Sequence, residues 1–150
     1  MMKKNLYIFP LAVVVGLTSC GDDDDNGPAQ NRTELLTAKT WRMTNLEGQV
    51  NGQTTSYWNF VFDACEQDDE SKFNADGTYV LTDTGEECSP DNSETGTWAF
   101  NADQTVLTVA TLSDTISGKV ESMSASEFKV SEMEVVNGMN TKLIITFKAL

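Results

Sequence analysis

From Trp41 to the C-terminus, apolar and polar side chains alternate over short stretches, and turn residues separate one stretch from the next. Trp41 and Met43 alternate with Arg42 and Thr44 as in a half-buried strand, after which Gly48, Asn51 and Gly52 mark a turn. Lys72–Asn74 and Thr78–Asp83 flank Ala75, Asp76 and Gly77. An Asp-Gly pair between β-formers predicts a hairpin, with Tyr79 and Leu81 on one face. Thr95–Asn101 and Thr105–Thr111 pair across Ala102, Asp103 and Gln104, setting Trp98 and Phe100 opposite Leu107 and Val109. Strands follow over Thr115–Ser122 and Glu127–Val136. Asn137-Gly138 then leads into Thr141–Lys148, where Leu143, Ile145 and Phe147 alternate with Ile144, Thr146 and Lys148.

Two segments break the period of two. Thr33–Lys39 reads as a short helical turn with Thr33 as its cap and Leu35 and Leu36 behind it. In residues 57–65, Trp58, Phe60 and Phe62 alternate as in a strand, while Tyr57, Phe60, Val61 and Ala64 share a helical face. Strand and helical turn both stand there. About eight short strands in sequential hairpin order predict an all-β fold. An antiparallel up-and-down eight-stranded barrel with a short N-terminal helical turn removes the exposed edges; an open two-sheet sandwich is the other arrangement that this alternation allows.

The N-terminus has a different character. Lys3 and Lys4 precede an apolar stretch from Leu6 to Leu17, the order of a secretory signal peptide. The apolar stretch is shorter than the roughly 18–20 residues of a spanning helix, and Pro10 interrupts it. Leu17-Thr18-Ser19-Cys20 resembles a bacterial lipobox, which implies cleavage before Cys20 and acylation of that residue. Its acyl chains would hold the protein on a membrane. Asp22–Asp25 is a run of mutually repelling carboxylates and predicts a solvated tether. Placed directly after the lipid cysteine, the run also resembles the surface-export signal of Bacteroidota lipoproteins. The division is therefore 1–19 signal peptide, 20–32 acidic tether and 33–150 one domain, with the outer membrane's exposed surface expected over its periplasmic face. Asp22–Asp25 lacks the alternating ligand spacing of a calcium loop.

The net charge is −13, and cleavage would remove two lysines as well. Such acidity argues against nucleic acid and anionic headgroups as partners, because both would be repelled. The chain has no histidine, so a serine or cysteine triad lacks its usual base. The carboxylates lie mostly in runs, among them Asp68, Asp69, Glu70, Glu86 and Glu87, where solvation accounts for them. No catalytic residue, cofactor or metal is assigned. Of the three cysteines, Cys65 and Cys88 remain after Cys20. An exported protein is expected to join such a pair as a disulfide, and two cysteines without histidine make a thin ligand set for zinc.

Cys20 with its acidic run, Leu36 with Lys39-Thr40-Trp41, and Cys65-Glu66-Gln67-Asp68-Asp69 make the first half of a longer pattern. Phe73-Asn74-Ala75-Asp76-Gly77-Thr78-Tyr79, Cys88, Gly96-Thr97-Trp98 and Leu143–Lys148 complete it. In order and spacing these resemble the lipocalin-like domain of Bacteroidota lipoproteins. The resemblance implies a small eight-stranded calyx, a bridge between Cys65 and Cys88, and no established activity. In better-known lipocalins the glycine-x-tryptophan signature lies on the first strand; here Lys39 stands two places before Trp41, and Gly96-Thr97-Trp98 lies mid-chain. The fold therefore carries over better than the ligand-binding behaviour.

The inward-facing set, core or pocket wall, is Trp41, Met43, Tyr79, Leu81, Trp98, Phe100, Phe128, Val130, Leu143, Ile145 and Phe147. Lys39 and Arg42 are candidates to greet an acidic ligand at the barrel entrance. Two non-enzymatic functions follow. In one, a surface-tethered barrel holds a small apolar molecule at the cell envelope. In the other, the barrel is filled and the loops at Cys65–Glu70 and Cys88–Ser93 bind a surface protein or glycan.

Overall fold

The computed structural model describes residues 31–86, 88 and 93–150. The expected signal peptide, Cys20 and most of the tether lie outside the described residues. The first described element is α1 (Arg32–Thr37), whose cap is Asn31 rather than Thr33. The Asn31 side chain accepts from the Thr33 amide at 3.1 Å, while the Thr37 hydroxyl donates to the Thr33 carbonyl at 2.9 Å. An asparagine caps as well as a threonine, and it stands where the orphan amides point.

Nine strands follow among the described residues: β1 (Thr40–Val50), β2 (Gln53–Ser56), β3 (Glu70–Phe73), β4 (Thr78–Thr82), β5 (Glu94–Phe100), β6 (Val106–Thr111), β7 (Thr115–Met123), β8 (Glu127–Val136) and β9 (Met139–Ala149). All neighbours are antiparallel, and β1 pairs with β9 from Trp41↔Ala149 to Gln49↔Lys142. That pairing closes β1 and β3 to β9 into an eight-stranded barrel, so the sandwich is excluded. β5 and β6 pair as expected, and the register sets Trp98 opposite Val109 and Phe100 opposite Leu107. Register shifts at Met43/Asn45 and Val120/Ser122 insert an extra residue in β1 and β7 while leaving the apolar side chains inward.

The structure corrects the reading of residues 48–65. Gly48 lies within β1, opposite Leu143, and the turn is Asn51-Gly52 alone. Both turn residues have positive φ, 50° and 79°, as a tight hairpin with Asn-Gly requires. β2 returns along the C-terminal half of β1, on the same edge that β3 occupies further down. Its four residues are all exposed, so no alternation marks it. Residues 57–65 take the helical alternative over α2 (Trp58–Val61), after which Phe62 is extended.

One end of the barrel is solid. α1 inserts Leu36, and Trp41, Phe73, Trp98, Leu107, Val120, Phe128 and Val130 are buried with it. Trp41 meets Phe128 edge-on at 4.8 Å, and Phe73 meets Trp98 at 5.8 Å. Both indole N–H groups are satisfied by backbone carbonyls, Trp41 at Leu36 (2.8 Å) and Trp98 at Asn74 (2.9 Å). A buried tryptophan without such a partner would forfeit part of its packing gain.

Candidate functional site

Above this plug the barrel is hollow. A cavity of about 320 Å³ runs from Leu107, Phe73 and Phe128 towards Ser113 and Asp114 in the β6–β7 turn. Its floor is aromatic: Phe128 stacks on Phe147 at 4.5 Å, and Phe73 tilts against Tyr79 at 5.2 Å. Met43, Leu81, Val109, Val130 and Ile145 make the walls. The volume falls in the lower part of the range of small-molecule sites, about 300–1,000 Å³.

The expected inward-facing residues therefore separate by height. Met43, Tyr79, Leu81, Phe128, Val130, Ile145 and Phe147 line the cavity. Trp41 and Trp98 belong to the plug, and Phe100 packs against it. Leu143 is half-buried, opposite Gly48 on β1, and lies outside the lining. Arg42 lies outside the cavity lining and pairs with Glu70 at 3.1 Å. Lys39 lies at the plugged end, its carbonyl accepting from the Lys72 ammonium.

The polar part of the lining is Glu66, Asp69, Ser71, Glu94, Thr111, Ser113 and Asp114, with the Tyr79 hydroxyl 3.0 Å from Ser71. Burial, together with the charges of Glu94 and Asp69, raises the Tyr79 phenol above its ordinary value, and the Ser71 contact opposes the rise. Glu66 and Asp69 come from the segment after α2, Glu94 opens β5, and Asp114 lies in the β6–β7 turn. The Cys65–Cys88 disulfide, with its Cα atoms 5.2 Å apart, ties the segment after α2 to the β4–β5 loop. The Thr84 hydroxyl donates to the Asp68 carbonyl, and the Glu86 amide to the Asp68 carboxylate at 3.1 Å.

These bonds bring Asp68, Asp69 and Asp83 together, each with a carboxylate oxygen within 4.8 Å of the others. Asp69 is pushed up to about 6, first by burial and then by Asp83, Asp68 and Glu66, against a weaker pull from the Thr84 amide. Calcium takes about six to eight oxygen ligands, more than these three side chains supply singly. Their convergence is not legible in the sequence, where Asp68 and Asp69 read as solvated loop charges and Asp83 ends a strand.

The lipocalin-like domain family matches residues 37–134, more than half of the chain. The chain belongs to that family. Among solved structures the lipocalin-like barrel is similar to a DUF4847 family protein from Bacteroides vulgatus ATCC 8482. The two share 14% identity with a TM-score of 0.50, over 77% of this chain and 94% of that one, a likeness of fold. No curated protein matches the chain. The family match agrees with the closed barrel, and a lipocalin-like fold is consistent with binding a small molecule.

Proposed function

We propose that this lipocalin-like domain holds or carries one small, largely apolar molecule at the cell envelope. A lipid on Cys20 tethers it there, with the barrel exposed at the outer-membrane surface. The cavity of about 320 Å³, walled by apolar side chains above an aromatic floor, carries the reading. Transfer of an apolar molecule from water into such a space is favourable by about 25 cal/mol per Å² of surface buried. The barrel's part is binding, and no reaction is assigned to it.

Native mass spectrometry tests this after the purified protein is exposed to an envelope extract of the producing bacterium. A stoichiometric mass increment that organic extraction removes is expected. A bare polypeptide mass after saturating exposure would count against the carrier and favour loops that bind a surface protein or glycan. The tether is tested separately with Cys20→Ser, which should leave the protein unacylated; retained acylation would end the lipoprotein reading.

A further inference from the structure

The walls of the cavity are apolar, but its charges are all of one sign. Glu66, Asp69, Glu94 and Asp114 line it, and among the described residues no lysine or arginine does. Cations that pair with carboxylates among the described residues do so elsewhere: Arg42 with Glu70, Lys129 with Glu127, and Lys119 and Lys142 with Glu121. Behind the wall at Asp69, one oxygen of Asp68, one of Asp69 and both of Asp83 are buried with no hydrogen-bond partner among the described residues. Desolvated carboxylate oxygens without donors are costly, and a cation offsets that cost.

From this we infer that the cavity selects an apolar primary amine, with its ammonium at Asp69 and its hydrocarbon part on the aromatic floor. The inference rests on the reading of the cavity as a ligand site. Three features point to this class. An ammonium presents three donors, and the Asp68–Asp69–Asp83 group offers three carboxylate oxygens within 4.8 Å of one another. Asp69 belongs both to that group and to the cavity lining, so one molecule can meet the charge and the apolar space together. A fatty acid of equal length would bring a like charge to four carboxylates, while a bare metal ion would leave the apolar space unused.

The test is displacement of the neutral probe N-phenyl-1-naphthylamine by octylamine, octanol and octanoate at neutral pH and low salt. Octylamine is expected to displace it at least about tenfold better than octanol, and octanoate worst of the three. Asp69→Asn and, independently, Glu94→Gln should bring the amine-to-alcohol ratio towards one, as should high salt. Circular dichroism confirms that each variant is folded. Equal displacement by octylamine and octanol would overturn the amine inference and leave the apolar site standing. Failure of the probe and all three compounds to bind would overturn both. Calcium that binds alone and expels octylamine would assign the carboxylates to a metal ion and overturn the inference.

Discussion

Tyr57 lies against Gly48 across the start of α2: a β-carbon at residue 48 would run into the Tyr57 ring and come within 2.9 Å of the Thr141 methyl. The Tyr57 amide donates to the Leu46 carbonyl at 2.9 Å, so backbone and ring together hold the segment leading into α2 on β1. Gly48→Ala should therefore displace the ring and lower stability by about 1–3 kcal/mol, read from urea unfolding. Gly52, which meets nothing within 4 Å but has φ +79°, is the contrasting position. Alanine there strains only the turn and should cost less.

The disulfide joins the two loops that gather the carboxylates. Cys65→Ser with Cys88→Ser should lower stability by about 2–4 kcal/mol in denaturant titration. Thiol labelling of the unfolded, unreduced wild type should find both cysteines protected. Two reactive thiols would remove the bridge.

Asp69 sets a pH dependence of definite sign. Its folded value of about 6 lies above the ordinary 3.8, so the folded state holds the proton more tightly than the unfolded chain. The stability this contributes is fully present below the unfolded value and is lost as pH rises through the folded one. Asp69→Asn removes the dependence. Its melting temperature should exceed that of wild type increasingly between about pH 4 and pH 7.5, in differential scanning fluorimetry. A gap that narrows over the same interval would refute the assignment.

Phe128 joins plug and cavity, touching Trp41 on one side and Phe147 on the other. Phe128→Ala should cost about 3–5 kcal/mol of stability in urea unfolding, the usual price of a lost core aromatic ring. A cost below about 1 kcal/mol would mean that the floor is not packed as described.

The alternation along the chain carried most of the barrel, because each strand buries one face and leaves the other to solvent. It set Trp98 and Phe100 against Leu107 and Val109 and placed Tyr79 and Leu81 together on the inner face. It could not give height along the barrel axis, which depends on stagger between strands. For that reason Met43 and Phe147 reach the cavity while Trp41 and Trp98 end in the plug, although all four alternate alike. Gly48 looked like turn punctuation, yet its missing side chain makes room for Tyr57, a contact that only the return of β2 creates. The acidic lining was hidden for another reason. Asp69, Glu94 and Asp114 belong to separate stretches of the chain, and the sheet with its bridged loops brings them to one cavity.

The central claim is that the barrel encloses a binding space, and a tryptophan placed inside tests it most directly. Val109 lines the cavity on β6, where an indole would fill much of the space. Titration with N-phenyl-1-naphthylamine should give a saturable one-to-one fluorescence rise in wild type and none in folded Val109→Trp. No saturable rise in wild type, or equal binding by the filled variant, would contradict the account.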